Sequence, residues 1–281
     1  MKIIVKTHEK LIKFLIHNVQ GLSFGQAQKL LRKGDIKVNG KRTKDNIDVN
    51  IGDEIDIYLP VKNKPILNII YEDDNIIIIN KPAGMECATR DKSSENTYSV
   101  EELFEDTKIY IVHRLDRLTE GLLILAKNKD IAKELEEIFR TRQISKYYMA
   151  GVNGNCTLNG IYTAFLYKDS NKSLVTVTDT PTPYSKEIIT EFNVIHWYCD
   201  YSLIDVRLHT GRTHQIRAHL KFLGYPIIND SKYGQNQTST FDYNGYFLTS
   251  YKLEFNITGK LNYLNDKVFK ISPSWLKYLE N

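Results

Sequence analysis

Apolar residues recur along the chain with two different periods. In the first sixty residues, Leu11, Phe14, Leu15 and Val19 lie at helical spacing and predict a short amphipathic helix over 8–19. "SFGQ" (23–26) has the spacing of a capping box, with Ser23 and Gln26 able to bond each other's backbone amides. A second helix is predicted from there to about Lys33, where Gly34 can end it. "IKVNGKRTK" predicts a hairpin turning at Asn39-Gly40, and "GDEIDIYL" predicts a later strand. From Ile69 onward strand-like runs dominate: 75–80, 108–115, 121–127, 146–152, 202–208 and 251–255. Helical patterns return only at 129–140 and 213–223. The polar stretch 167–187 predicts a hairpin with a long connection, and 232–246 an exposed loop. No repeat has a fixed period. The expected class is α+β: a large domain (69–281) on a mixed or antiparallel sheet, preceded by a small α/β module (1–60). Residues 61–68, which include Pro65, read as the linker, with the boundary near 65.

Charge adds a functional hint to this division. Of 38 Lys+Arg and 34 Asp+Glu, residues 1–60 hold 11 and 7, which leaves the remainder balanced at 27 of each. The excess is concentrated on the second helix and the hairpin, at Lys29, Arg32, Lys33, Lys37, Lys41 and Arg42. A basic patch on an otherwise neutral chain suggests a polyanion-binding module, though a charge run alone also fits a solvated helix face. The three cysteines form no CxxC pair, and the N-terminus has the pattern of neither a signal peptide nor a membrane span. A cytosolic protein is expected, monomeric and without an obligate protein partner.

Metal and nucleotide chemistry find little support. His209, His214 and His219 are spaced five apart, which does not put them on one helix face. There is no HExxH and no phosphate-cradling glycine loop. No cofactor and no metal are expected. Attention falls instead on Asp116, between Arg114 and Arg117. Those cations favour an ionised carboxylate, suited to act as nucleophile or base, or simply to form an ion pair where a strand begins.

Four motifs decide between these readings: "YEDDNIIIINKPAGM", "HRLDRLTEGLLILAKN", "ISKYYMAGVNG" and "LHTGRTHQIRAHLKFLGYPIINDSKYG". In this order and spacing they resemble the RluA-type pseudouridine synthases, over about 69–255. The first sixty residues resemble the alpha-L RNA-binding module, a common companion in that family. The resemblance implies that Asp116 is the catalytic residue and that Arg114 enters the RNA stack to hold the target uridine out. It implies that Tyr148 packs on the uracil and takes part in the final proton removal, and that Arg217 pairs with Asp116. Arg212, His214 and Gln215 become candidates for contact with the substrate. "NKPAGM" is expected to shape the turn beside the site. The implied activity is isomerisation of uridine to pseudouridine in RNA, first in large-subunit ribosomal RNA and second in transfer RNA. A silent RNA-binding or ribosome-assembly factor on the same fold is the alternative. The sequence departs from the family pattern at Glu120, where serine or threonine is usual and where a solvent- or lysine-facing side chain is expected. It departs again after "KPAGM", where "ECATRD" lacks the usual His-Pro pair.

Overall fold

A computed structural model describes residues 1–19, 22–58, 65–88, 98–104, 107–168, 174–234 and 241–280. The chain divides into two compact units, one built from the residues up to Tyr58 and one beginning at Pro65.

The small unit contains β1 (Lys2–Ile4), β2 (Glu9–Lys10), α1 (Leu11–Asn18), α2 (Phe24–Lys33), β3 (Ile36–Val38), β4 (Lys41–Arg42), β5 (Asp48–Val49) and β6 (Glu54–Ile57). The order β1-β6-β3-β4 makes one sheet, and β2 pairs with β5. The capping box forms as the spacing predicts: the Gln26 amide donates to Ser23 Oγ, and the Ser23 amide donates to Gln26 Oε1 at 2.8 Å. Gly34 ends α2 in the left-handed region, φ 74°. Asn39 and Gly40 both take positive φ, the geometry of a tight hairpin turn. Phe14, Leu15, Leu30, Leu31 and Ile55 share the core of this unit.

The large unit contains β7 (Asn68–Glu72), β8 (Ile76–Lys81), α3 (Val100–Leu103), β9 (Tyr110–Ile111), β10 (Glu120–Ala126), α4 (Lys129–Arg140), β11 (Ile144–Asn153), β12 (Asn159–Lys168), β13 (Val175–Thr178), β14 (Lys186–Trp197), β15 (Tyr201–Leu208), α5 (Gln215–Phe222), β16 (Leu248–Phe255) and β17 (Val268–Lys270). One mixed sheet runs β13-β12-β14-β15-β11-β16-β10-β8-β7, with β17 on β16 and β9 on β10. All its pairs are antiparallel except β10 with β16. The unbroken apolar run of β8 reflects burial on both faces. Ile77 and Ile79 enter the cluster that holds Ile216 and Leu220 of α5, while Ile76 and Ile78 enter the one that holds Leu135 and Ile138 of α4. Helices α5 and α3 thus pack on one side of the sheet and α4 on the other.

Two expectations change. The run 108–115 is not a full strand. Only Tyr110 and Ile111 pair with β10, because His113 Nε2 then accepts the Ile124 amide at 2.9 Å in place of a ladder carbonyl. The chain leaves the sheet there and becomes the loop that carries Asp116. The stretch 232–246 is not simply an exposed loop, since Tyr233 and Tyr246 are buried. Residues 61–64 of the linker, 169–173 of the long connection, 235–240 of that loop and the segment from 89 of "ECATRD" lie outside the described residues.

Candidate active site

Asp116 sits on the turn between β9 and β10, where its backbone carbonyl accepts the Thr119 amide. Two structures hold that turn. Gly121 begins the parallel pair so close to β16 that a Cβ would lie 2.5 Å from the Ser250 backbone, so only glycine fits. Lys81, fully buried in "NKPAGM", donates to the carbonyls of Pro82, Met85 and Arg117 at 3.0, 2.8 and 3.3 Å. It thereby ties the "KPAGM" turn to the Asp116 loop. Burial lowers its ammonium to about 8, against the opposing pull of nearby anionic groups, Asp116 and Glu120 among them.

The cation that meets Asp116 is not one of its sequence neighbours. Arg114 and Arg117 are exposed and form no ion pair with it. Arg217, on the buried face of α5, donates from Nη1 to Asp116 Oδ2 at 2.8 Å. It also donates to Asp230, from Nε at 2.6 Å and from Nη2 at 2.9 Å, and from Nη2 to the Tyr246 hydroxyl at 2.8 Å. The guanidinium also lies over the Tyr246 ring, 4.0 Å from its centroid. Burial alone would lower Arg217, but the hydrogen bonds and charge of Asp230, and then of Asp116, carry it well above its ordinary value. Arg217 is therefore a fixed cation between two carboxylates, one fully buried and one 19% exposed. Asp116 Oδ1 has no donor among the described residues and is left for a ligand.

Asp230 is the functional residue that sequence reasoning missed. It lies in "NDSKYG", where Gly234 closes a turn onto the Asp230 carbonyl at 2.6 Å. Its carboxylate also accepts the amides of Lys232 and Tyr233. The signal was present as an acidic residue in a tight, glycine-ended turn, but nothing in the spacing tied it to Arg217.

The other predicted residues divide into those facing the cleft and those turned inward. A cleft of about 590 Å³ is lined by Arg114, Asp116, Tyr148, Arg212 and His214 among others. A smaller recess of about 70 Å³ shares all five and adds Arg217. Alternation along β11 sends Tyr147 to the other face, where Lys252 Nζ lies 3.6 Å from its ring centroid, and Tyr148 to the cleft. A register shift between the two, in the pairing with β16, sharpens that turn. Burial pushes the Tyr148 hydroxyl well up, so it keeps its proton near neutral pH. His214 caps α5 with φ 55°, an unusual conformation for a non-glycine residue. It is held by the Tyr233 hydroxyl at Nδ1, 2.9 Å away, with Nε2 3.9 Å from Asp116 Oδ2. Burial lowers its imidazole, against the charge of Asp116.

Gln215 departs from its expected role. Its Oε1 accepts from Thr210 Oγ1 and the Arg212 amide, and its Nε2 donates to Ile189 O and Thr190 Oγ1. With its amide fully used and its side chain buried, it shapes the loop that presents Arg212 rather than touching a substrate. Glu120 also departs. It is 6% exposed and accepts from Thr249 Oγ1, Tyr243 OH, Ser274 N and Ser274 Oγ, at 2.7, 3.0, 2.8 and 2.6 Å. These four donors satisfy the carboxylate where it is buried, so it faces neither solvent nor a lysine.

A family model described as RNA pseudouridylate synthase matches residues 75–222, which span the Asp116 loop, Tyr148 and Arg217. The chain belongs to this family. Among its relatives is the ribosomal large subunit pseudouridine synthase C of Buchnera aphidicola, 35% identical over 83% of this chain and 79% of that one. An uncharacterised RNA pseudouridine synthase of Mycoplasma capricolum is 33% identical over 96% of this chain and 95% of its own. The fold matches solved members of the family. The human RNA pseudouridylate synthase domain containing 4 covers 75% of this chain and 90% of its own, with a TM-score of 0.60 at 20% identity. The domain containing 1 protein covers 78% and 89%, with a TM-score of 0.63 at 20% identity. As a pseudouridine synthase, the protein is an isomerase acting on RNA.

Proposed function

We propose that this pseudouridine synthase acts on large-subunit ribosomal RNA and that Asp116 is the carboxylate that meets the flipped nucleotide. The observation carrying the residue assignment is the chain Asp116–Arg217–Asp230, which leaves Oδ1 of Asp116 open to the cleft. The reaction breaks the glycosidic bond, turns the uracil and rejoins it through carbon 5, so it needs no co-substrate and no redox partner. A stacked base is out of reach of Asp116 and must be extruded into the cleft, at a cost of a few kcal/mol. The Tyr148 ring offers a stacking surface, and the exposed Arg114 guanidinium can fill the vacated place in the stack. Arg217 fixes the direction of the Asp116 carboxylate, and Asp230 fixes Arg217.

The choice of RNA rests on the relatives named for the large ribosomal subunit. Arg32, Lys33, Lys41 and Arg42 of the small unit are exposed, while Lys29 and Lys37 are partly covered. They suit an alpha-L type anchor on RNA phosphates. The reading includes a monomer in the cytoplasm, and the three free cysteines suit a reducing compartment. The test is to incubate the wild type and Asp116→Asn with a large-subunit ribosomal RNA transcript, and to map pseudouridine by chemical derivatisation and primer extension. Stops seen only with the wild type support both substrate and residue. Stops on transfer RNA alone would replace the substrate, and stops with Asp116→Asn would overturn the residue.

A further inference from the structure

Lys146 is a cation in the cleft for which the reading above has no use. It lies on β11 two residues before Tyr148, and both line the cleft. Two strand residues span about 7 Å, so its ammonium stands roughly one nucleotide away from a base stacked on Tyr148. The side chain is largely covered, yet its Nζ has no hydrogen bond or ion pair with any described residue. It stands over the face of Phe139, 5.4 Å from the ring centre. Burial pulls the ammonium below its ordinary value. A covered charge without a counter-ion is costly, and an anion in the cleft would remove that cost. Opposite it, the absence of a side chain at Gly211 leaves the approach open, since a Cβ there would lie 3.4 Å from Nζ.

The rim around Lys146 has the same sign. Arg142 and Arg212 are exposed on the cleft wall and form no ion pair among the described residues, whereas Arg140 is occupied by Glu137. Arg142 is held at φ 60° in the turn after α4, a conformation an arginine adopts only when the surrounding chain imposes it. Of the cleft's lining residues, only Asp116 and the exposed Glu136 bear carboxylates.

We propose that Lys146, with Arg142 and Arg212 at the rim, forms a subsite for a backbone phosphate of the RNA strand beside the flipped nucleotide. This rests on the reading of the cleft as the seat of that nucleotide. The subsite holds the strand beside the flipped nucleotide, positioning it against Asp116 without reading its sequence.

The test measures binding of the full chain to a large-subunit ribosomal RNA transcript across a range of salt concentrations. Lys146→Met should lower the slope of log affinity against log salt by about 0.7–0.9, the loss of one phosphate contact. It should also raise KM by more than it lowers kcat, and Lys146→Arg should keep the wild-type slope. An unchanged slope in Lys146→Met overturns the proposal. Should that variant fail to fold, the exposed pair Arg142→Ala with Arg212→Ala carries the same test, with a drop of about 0.7–0.9 expected for the same single phosphate and no drop fatal. Normal pseudouridine formation with unchanged slopes sinks the subsite alone. Altered slopes with no conversion of the transcript by the wild type sink the ribosomal target and leave the subsite standing.

Discussion

The two units use the same cationic side chains in opposite ways. In the large unit Arg217 is 3% exposed and gives its donors to two carboxylates and a tyrosine hydroxyl. In the small unit Arg32, Lys33, Lys41 and Arg42 stand in solvent on a helix end and a hairpin. The buried arginine contributes direction: its position is fixed whatever the salt, and its loss strands the charges around it. The exposed set contributes a field, which draws in a polyanion, weakens with ionic strength and tolerates the loss of any one member. On the proposed reading a residue of the first kind aims the reacting carboxylate, and residues of the second kind raise the rate of encounter with RNA.

The largest effect should come from the buried side. Asp116→Asn should lower kcat by 10³-fold or more, a barrier increase above about 4 kcal/mol, with RNA affinity little changed. Primer-extension mapping and a binding titration on the same preparation check both halves. Arg217→Met should cost stability on the order of 3–5 kcal/mol, because it leaves the buried Asp230 carboxylate without its cation. Denaturant unfolding will show it, and adding Asp230→Leu should restore much of the stability but none of the activity. Equal instability of the double variant would show that the pair is not the cause. Asp230→Asn, a milder change, should reduce kcat by roughly 100-fold through misplacement of Arg217, with KM nearly unchanged. A KM effect larger than the kcat effect would mean that Asp230 acts on binding instead. The smallest effect per residue belongs to the exposed side. Neutralising Lys41 and Arg42 together should weaken RNA binding by about tenfold at low salt and flatten its salt dependence, leaving single-turnover rates at saturating RNA untouched. A slower rate at saturation would erase the distinction between the two units.

Much of this was readable from residues alone, where local chemistry fixes local shape. Ser23, Gln26 and Gly34 bound the second helix because capping is settled within a few residues. Helix α4 spans the predicted 129–140, its Asn128 side chain accepting the Asp130 and Ile131 amides. The site was legible only through the order of its motifs, since no rule of spacing brings residue 217 to residue 116. What stayed hidden depends on distant partners. The strand at 108–115 stops early because a histidine ring takes a ladder bond from Ile124. Burial holds that ring at about 3, neutral and able to accept. β12 and β14 are absent from the predicted runs, because each buries only alternate positions along part of its length and leaves the rest partly or fully exposed. Asp230 and the inward turn of Gln215 each depend on groups far along the chain, which no window on the sequence contains.

Glu120 also sets an order of events during synthesis. It is made early, at the start of β10, while the two hydrogen bonds from Ser274 come from a residue 154 positions later. A nascent chain must carry that carboxylate short of donors until translation has passed Ser274. The strand beside the Asp116 loop therefore reaches its final setting only when the far end of the chain arrives to close it.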